Sequence, residues 1–167
     1  MKKIILIGPP GCGKSTVGQA LSVHLQRTFI DTDAVIEVKM QKKIADIFIE
    51  DGEAAFRVFE FEILQEVLTT DHTVIALGGG APISAPAQAA IENSGSHVIF
   101  LDVSLAIAAP RVGFNRDRPL LLGNPRAQWL ALSESRRPIY EKLATCSIKV
   151  DGMNVAEILN LIQEEVR

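Results

Sequence analysis

The sequence is poor in cysteine and in aromatic residues, and it lacks any long uninterrupted apolar segment. Its two cysteines, Cys12 and Cys146, lie far apart and belong to no Cys-x-x-Cys motif, which argues against a zinc site or a disulfide framework. At 167 residues the chain is long enough to bury a core without such cross-links. We therefore expect two reduced thiols and a cytoplasmic protein.

No segment has the pattern of a membrane span or of a signal peptide. The longest uncharged run, residues 72–91, is long enough to cross a bilayer, but three glycines, Pro82 and Pro86 interrupt it. The apolar run from Ile4 to Ile7 is too short for the core of a signal peptide. We expect a protein without a leader and without a membrane partner.

Neither sign of charge dominates, since 17 basic and 20 acidic residues give a net charge of −3. This mild negative charge argues against nucleic acid or an anionic membrane as the main partner. Residues 111–137 are the exception, because six arginines and two acidic residues give this stretch +4 against −7 elsewhere. Either a solvated helix face or an anion-binding region would explain the cluster.

The sequence does contain a regular alternation of strand and helix patterns. Apolar runs predict short strands at residues 3–7, 29–30, 73–77, 98–101 and 147–150. Helical spacing predicts helices from residue 15, at 34–40, 44–50, 53–68 and 84–93, across 128–143 with a break near Pro138, and at 155–166. The alternation predicts one α/β domain over residues 1–167, in three layers, with a mainly parallel sheet of about five strands and helices on both faces. Ligands of such folds bind beyond the carboxyl ends of the strands.

Residues 8–15 match the phosphate-binding motif G-x-x-x-x-G-K-[ST], between a predicted buried strand and a predicted helix. The glycines let successive backbone N–H groups point at phosphate oxygens, and the helix that starts near Lys14 adds its positive end. Lys14 can reach the β- and γ-phosphates of a nucleoside triphosphate, and the Ser15 hydroxyl can ligate Mg²⁺. The expected ATP contacts in this loop are Gly11, Cys12, Gly13, Lys14, Ser15 and Thr16. Cys12 is either an activated thiol open to alkylation or simply a small side chain.

Three further features narrow the choice of phosphate-binding enzyme. Asp31 and Asp33 lie two residues apart at a predicted strand end, where one could hold magnesium through water while the other accepts a hydroxyl proton. The three glycines at 78–80 follow a predicted strand and leave room for a ligand against the backbone. An arginine-rich loop at about 112–124 could close over the phosphates as a lid. Taken singly, each feature also fits a helix cap, a flexible turn or a solvated surface.

At these residues the chain resembles shikimate kinase, a small P-loop kinase of the nucleoside monophosphate kinase-like group. The resemblance extends over essentially the whole chain. It rests on the ordered segments GPPGCGKST (8–16), DTD (31–33), IADIFIEDGEAAFRVFE (44–60), LGGGA (77–81), NRDRPLL (115–121) and RRPIYEKLA (136–144). It implies transfer of the ATP γ-phosphoryl group to the 3-hydroxyl of shikimate, in the route to chorismate and the aromatic amino acids.

The resemblance also implies an acceptor-binding region at about residues 31–60. Within it Asp33 is the candidate base and meets the ring hydroxyls of shikimate. Arg57 and Arg136 would grip the shikimate carboxylate, since a guanidinium group binds a carboxylate with two parallel hydrogen bonds. The complete set implied to bind shikimate is Asp33, Arg57, Gly78, Gly79, Gly80 and Arg136.

On the nucleotide side, the resemblance implies Mg²⁺ bound to Ser15 and, through water, to Asp31. Lys14 and the lid residue Arg118 would act catalytically on the transferring phosphoryl group. Arg111 would bind ATP by flanking its adenine. ATP and shikimate are thus the expected partners of the protein, which we expect to be a monomer.

Other functions stay open from the residues alone. Arg57 has helical spacing from Glu53 and Glu60, so it could form surface ion pairs instead of binding an acceptor. A small-metabolite kinase such as gluconate kinase would share the phosphate-binding loop, and a nucleotide-binding regulator would keep the fold without catalysis. An acceptor-site carboxylate and a lid arginine argue against the regulator. A nucleoside monophosphate kinase would need a longer lid and an additional base-recognition segment.

Overall fold

The computed structural model describes residues 2–112 and 124–166. Five strands form one parallel sheet in the order β2-β3-β1-β4-β5, which confirms the α/β prediction. The strands are β1 (Ile4–Ile7), β2 (Thr28–Asp31), β3 (Thr73–Ala76), β4 (His97–Asp102) and β5 (Cys146–Lys149). The helices in the described ranges are α1 (Lys14–Leu25), α2 (Thr32–Met40), α3 (Ile44–Glu50), α4 (Gly52–Val67), α5 (Ala85–Asn93), α6 (Leu105–Val112), α7 (Pro125–Leu143) and α8 (Val155–Val166).

The central strand β1 supplies apolar side chains to two separate cores. Ile4 and Leu6 pack with residues of α1, α6 and α8, whereas Ile5 and Ile7 pack with residues of α2, α4, α5 and α7. Successive side chains of a strand point to opposite faces, so the two cores cover the two faces of the sheet. Burial on both faces explains why this strand is an uninterrupted apolar run in the sequence.

The carboxyl ends of the strands bring the predicted site segments to one edge of the sheet. Strand β1 continues into the phosphate-binding loop, β2 ends at Asp31, and β3 leads to the glycines at 78–80. Because β3 pairs directly with β1, the glycine segment lies beside the phosphate-binding loop, and the Leu77 N–H donates to the Leu6 carbonyl at 3.1 Å. Ligands of open α/β sheets bind at this edge.

Helix α7 is continuous, whereas we predicted a break near Pro138. It begins at Pro125, where the Asn124 side chain accepts a hydrogen bond from the Ala127 N–H at 3.2 Å. A proline removes one intrahelical hydrogen bond and crowds the preceding turn. Trp129 before it and Tyr140 after it are both buried, and this packing holds the two parts of the helix in line.

Helix α6 was not predicted, and α2 begins earlier than expected. Although α6 contains Pro110, its buried residues Ala108 and Val112 pack against the core on the α1 face. Helix α2 begins at Thr32 because the Asp31 side chain caps it, accepting from the N–H groups two and three residues later at 3.0 and 3.4 Å. Asp33 therefore lies in the first turn of α2, whereas a strand end, as predicted, would have placed both aspartates on an extended backbone.

No helix in residues 2–112 or 124–166 is long and apolar enough to cross a membrane. The lid predicted at about 112–124 lies outside the described residues except at its two ends, and Arg118 belongs to that undescribed part.

Candidate active site

The phosphate-binding loop has the conformation that its glycines predict. Gly8, Gly11 and Gly13 have φ angles of 145°, 84° and 97°, which only glycine adopts without steric cost. Helix α1 begins directly after the loop, and residues from Gly11 to Val17 line one cavity of about 350 Å³. The first N–H groups of a helix have no intrahelical partner, so this cavity is an anion-binding concavity made mainly of backbone.

The Lys14 ammonium group lies inside the loop that precedes it. It donates to the carbonyl oxygens of Gly8 at 2.8 Å and of Pro9 at 3.2 Å. The same cavity is lined by Asp31 and Asp33, so the Lys14 cation and two carboxylates border the predicted phosphate position. An ammonium group held by loop carbonyls can exchange them for the β- and γ-phosphate oxygens of a nucleotide.

Ser15 and Asp31 form the pair of oxygen ligands predicted for magnesium. The Ser15 hydroxyl donates to the Asp31 carboxylate at 2.5 Å and joins the start of α1 to the end of β2. Hydroxyl and carboxylate oxygens are the ligands that Mg²⁺ prefers, and Mg²⁺ usually binds with water and substrate phosphates beside one or two protein ligands. Across the described part of the chain, His, Cys, Asp and Glu side chains form no cluster of three or more that could hold a metal alone.

Arg111 lies at the far end of the nucleotide cavity. It belongs to the last turn of α6, and its Nη1 donates to the Gly11 carbonyl at 3.0 Å. Val150, Met153 and Val155 line the same cavity. A planar guanidinium group beside apolar side chains suits a planar base, and the role of Arg111 at the adenine stays a prediction.

The side of the site that is predicted to bind the acceptor contains ion pairs within α4. Arg57 donates to Glu60 at 2.6 Å and to Glu53 at 3.3 Å, so the helical ion pairs that we considered as the alternative are present. The Glu60 side chain is only 5% exposed, and burial raises the pKa of its carboxyl group although Arg57 partly offsets the effect. Burial alone would lower the pKa of Arg57, but the two glutamates raise it overall. Because Glu60 is buried, its ion pair holds Arg57 against a cavity and not out in solvent.

The glycines at 78–80 do not serve a left-handed backbone, since none of them has a positive φ, and close contacts with side chains surround Gly78 and Gly80. A Cβ at Gly80 would lie 2.2 Å from an Arg57 nitrogen, and a Cβ at Gly78 would lie 2.5 Å from an Asp33 carboxylate oxygen. The absence of side chains here lets α2 and α4 approach the end of β3. The backbone that we expected to be open to a ligand is thus partly covered by side chains expected to bind the acceptor.

Two cavities meet at this glycine segment. The nucleotide cavity is lined by Asp33 and by the glycines at 78 and 79. The second cavity, of about 640 Å³, is lined by Arg57, Glu60, Gly80 and Arg136. Arg136 of α7 also approaches Gly79, where its Nη1 lies 3.5 Å from the position of a Cβ. The structure therefore brings the predicted acceptor residues together from α2, α4, α7 and the end of β3.

Sequence reasoning did not assign three residues that contact the site. Glu60 was considered only as a surface partner of Arg57. Tyr140 and Trp129 are buried on α7, and they donate to the carbonyls of Gly79 and Pro10 at 2.6 and 2.8 Å. Both have helical spacing from Arg136, and that spacing is the signal in the sequence that could have identified them.

Other candidates from the sequence have structural explanations. Arg137 pairs with Asp102 at the end of β4 and with Glu141 at 3.3 Å. Arg126 is exposed in the first turn of α7. The solvated or structural interpretation therefore fits these two arginines of the basic stretch. Cys12 is 1% exposed, which favours its interpretation as a small packed side chain.

Comparison with known proteins agrees with this geometry. The model of the shikimate kinase family matches residues 10–167. The shikimate kinase of Thermobifida fusca is 46% identical over 162 residues, which cover 97% of this chain and 93% of the relative.

Solved structures show the same similarity. The shikimate kinase from Acinetobacter baumannii in complex with shikimate superposes with a TM-score of 0.96 at 32% identity, over 99% of this chain and 93% of that chain. A deoxyadenosine kinase from M. mycoides, at 18% identity and a TM-score of 0.64 over 98% of this chain and 97% of that chain, shares the fold alone. The chain therefore belongs to the shikimate kinase family and is an ATP-dependent kinase.

Proposed function

We propose that the chain transfers the γ-phosphoryl group of ATP to the 3-hydroxyl of shikimate, giving shikimate 3-phosphate and ADP on the route to chorismate and the aromatic amino acids. The observation that carries the proposal is the meeting of two cavities at residues 78–80. One cavity is a phosphate cradle, and the other contains two arginines beside a carboxylate. Shikimate is an anion with hydroxyl groups on one rim, which matches both the arginines and the aspartate.

Phosphoryl transfer depends on positioning and on charge stabilisation, and it needs no covalent nucleophile. Asp33, in the first turn of α2, accepts the proton of the attacking hydroxyl group. Lys14 and the loop N–H groups hold the β- and γ-phosphate oxygens. Arg118 is assigned to the transferring phosphoryl group by family resemblance alone, because it lies outside the described residues.

The magnesium ion is proposed from the donor set that the chain offers. Ser15 would ligate Mg²⁺ directly and Asp31 would hold it through water, and the 2.5 Å hydrogen bond between them keeps these two oxygens together. Bound Mg²⁺ supplies neutralisation of the phosphate charge. Asp31 has a second task in capping α2, so it couples the start of the helix that carries Asp33 to the nucleotide side.

Shikimate is oriented by groups from three elements. Arg57 and Arg136 bind its carboxylate, and Glu60 keeps Arg57 in place through their 2.6 Å ion pair. The backbone at Gly78, Gly79 and Gly80 forms the wall between acceptor and nucleotide. This arrangement leaves the ring hydroxyls facing Asp33 and the phosphates.

Coupled measurement of ADP release tests the proposal, with shikimate, gluconate and CMP offered singly beside ATP and Mg²⁺. We expect ADP release with shikimate and not with the other two acceptors. Turnover with gluconate or CMP alone would assign a different acceptor. Absence of turnover with every acceptor would support a non-catalytic nucleotide-binding protein. Chelation of Mg²⁺ with EDTA is expected to abolish turnover, and the added metal to restore it.

We further propose a cytoplasmic monomer without a nucleic-acid partner. The net charge of −3 supports the last point. The exposed large apolar residues of the described ranges are spread over six helices and one loop, which supports a monomer. Light scattering coupled to size exclusion tests it, since a mass twice that of the chain would indicate a dimer.

A further inference from the structure

We propose that Trp129 and Tyr140 are positioning residues, which make α7 a brace between the phosphate-binding loop and the glycine segment at 78–80. The inference rests on the proposed function, because a brace matters only if ATP and an acceptor meet between these two loops. Neither residue is itself expected to touch a reacting atom.

Each end of α7 donates one hydrogen bond to a backbone carbonyl of the site. Trp129 Nε1 donates to the Pro10 carbonyl at 2.8 Å, and the Tyr140 hydroxyl donates to the Gly79 carbonyl at 2.6 Å. Trp129 is 3% exposed and Tyr140 is 0% exposed. Breaking either bond would leave buried polar groups without partners, so each bond holds its loop firmly.

These two bonds also determine where neighbouring N–H groups point. A peptide unit is planar and trans, so the carbonyl of one residue and the N–H of the next point in opposite directions. Holding the Pro10 carbonyl toward α7 therefore turns the Gly11 N–H away from α7. The hydrogen bond from Tyr140 holds the Gly79 carbonyl and so fixes the direction of the Gly80 N–H in the same way. Gly11 lines the nucleotide cavity and Gly80 lines the acceptor cavity.

The brace joins the two faces of the sheet. Trp129 packs in the core that contains α1 and α8, whereas Tyr140 packs in the opposite core, 5.3 Å from the Phe100 ring between centroids. The two residues are about 16 Å apart along the helix axis. Arg136 lies between them on the same side of the helix. One rigid helix therefore contacts both loops and carries an arginine that is proposed to bind the acceptor.

The braced loops are in contact, so small displacements of either would alter the reaction geometry. A Cβ at Gly79 would lie 3.4 Å from the Pro10 ring and 3.5 Å from the Gly8 carbonyl oxygen. A misplacement of about 1 Å between reacting groups can cost roughly 100-fold in rate. Two hydrogen bonds from one helix are a direct way to hold this spacing.

Two conservative variants test the two ends separately. Tyr140→Phe keeps the ring and removes only the hydroxyl group, and Trp129→Phe removes the indole N–H. We expect Tyr140→Phe to raise the KM for shikimate by roughly two- to tenfold, with the KM for ATP unchanged within error. We expect Trp129→Phe to raise the KM for ATP by a similar factor and the KM for shikimate by less.

Thr145→Val is the matched control. The Thr145 hydroxyl donates to the Val98 carbonyl at 3.0 Å and accepts from the Val98 N–H at 3.1 Å. Val98 lies at the end of β4 away from the site. Its removal should lower Tm and leave both KM values unchanged. A loss of Tm without a KM effect in Tyr140→Phe would overturn the positioning role of Tyr140. Equal rises in both KM values for either variant would overturn the assignment of one loop to each end.

A measurement on the unaltered protein covers the case in which Trp129→Phe does not fold. Trp129 is the single tryptophan of the chain, so its emission reports the Pro10 contact directly. We expect Mg-ADP to change this emission, and an unchanged spectrum at saturating Mg-ADP would contradict the proposal. Absence of shikimate-dependent turnover in the unaltered protein would instead be a failure of the proposed function.

Discussion

The nucleotide half and the acceptor half of the site are built in different ways. The phosphate cradle of the predicted nucleotide half is one contiguous segment, residues 8–16, whose backbone faces the cavity and whose glycines need positive φ. The acceptor half takes Asp33, Arg57 and Arg136 from three helices, and its glycines serve close packing. A cradle made of backbone depends on local conformation, whereas a set of side chains depends on how distant elements pack.

The difference predicts different sensitivities. Backbone N–H groups carry no titratable charge, and among single substitutions only those to proline remove one. The acceptor half contains a buried carboxylate whose pKa is raised by burial and a guanidinium group paired with it. Single substitutions and changes of pH should therefore affect acceptor binding more specifically than nucleotide binding.

The largest effect is expected from Asp33→Asn. If the acceptor half performs the proton transfer, kcat should fall by roughly 10²–10⁴, because the amide cannot accept a proton from the attacking hydroxyl. The KM for ATP should hardly change. Steady-state kinetics measures both values, and Asp71→Asn, at an exposed turn, is the control. A fall in kcat of less than about tenfold would mean that Asp33 is not the base.

Lys14→Met tests the cationic side chain that the phosphate-binding loop contributes to the nucleotide half. Loss of the ammonium group should lower kcat by roughly 10²–10³, as removal of one charge-stabilising donor does in other active sites. Lys39→Met provides a control, since Lys39 pairs with Glu66 on the surface. Retained turnover in Lys14→Met would show that backbone alone suffices to hold the phosphates.

Two adjacent arginines offer a matched pair for the acceptor half. Arg136→Ala should raise the KM for shikimate by roughly 10–100-fold, because a charged hydrogen-bonding partner of the carboxylate is lost. Arg137→Ala should leave this KM unchanged, since Arg137 pairs with Asp102. Similar KM values in the two variants would remove Arg136 from the acceptor site.

Glu60→Gln should raise the KM for shikimate by a few-fold, because Arg57 loses the charged partner that holds it in position.

Burial raises the Glu60 pKa above its ordinary value of 4.5, so the folded protein binds this proton more tightly than the unfolded chain does. The resulting stabilisation is complete below pH 4.5 and is lost as the pH rises through the raised pKa.

Urea unfolding between pH 4.5 and 7 measures this contribution. The unaltered protein should lose stability relative to Glu60→Gln as the pH rises. Glu53→Gln is the control, because the Glu53 side chain is 55% exposed. A constant stability difference across this range would show that Glu60 does not titrate there.

The smallest effect is expected from the titration of Tyr140, the single tyrosine of the chain, and absorbance detects it more directly than activity does. Burial raises its pKa from 10.0 to about 12, although the nearby Arg136 opposes the shift. The associated stabilisation is complete below pH 10.0 and is lost as the pH rises through about 12. Tyrosinate absorbance should therefore be low at pH 10.0 in the folded protein and half-maximal in urea. Half-ionisation near that pH in the folded protein would contradict the burial of the hydroxyl group.

The two halves also differ in how far the sequence could predict them. The phosphate-binding loop and helix α1 were predictable because motif, strand and helix are contiguous and their conformation is local. Arg57 was predicted as an acceptor-binding residue only through the family resemblance, because its two glutamate partners are visible as helical neighbours but the face of α4 that is buried depends on packing. The continuity of α7 through Pro138 and the bonds of Trp129 and Tyr140 likewise depend on elements far apart in the chain.

The close approach of Gly80 to Arg57 has an evolutionary consequence. A Cβ at residue 80 would lie 2.2 Å from the guanidinium group, so a side chain gained there would displace the end of the arginine side chain. In an alignment of related kinases, residues other than glycine should therefore be rare at 80 wherever arginine stands at 57. Gly80 leaves the space that the Arg57 side chain of α4 occupies, so selection on one position is expected to depend on the residue at the other.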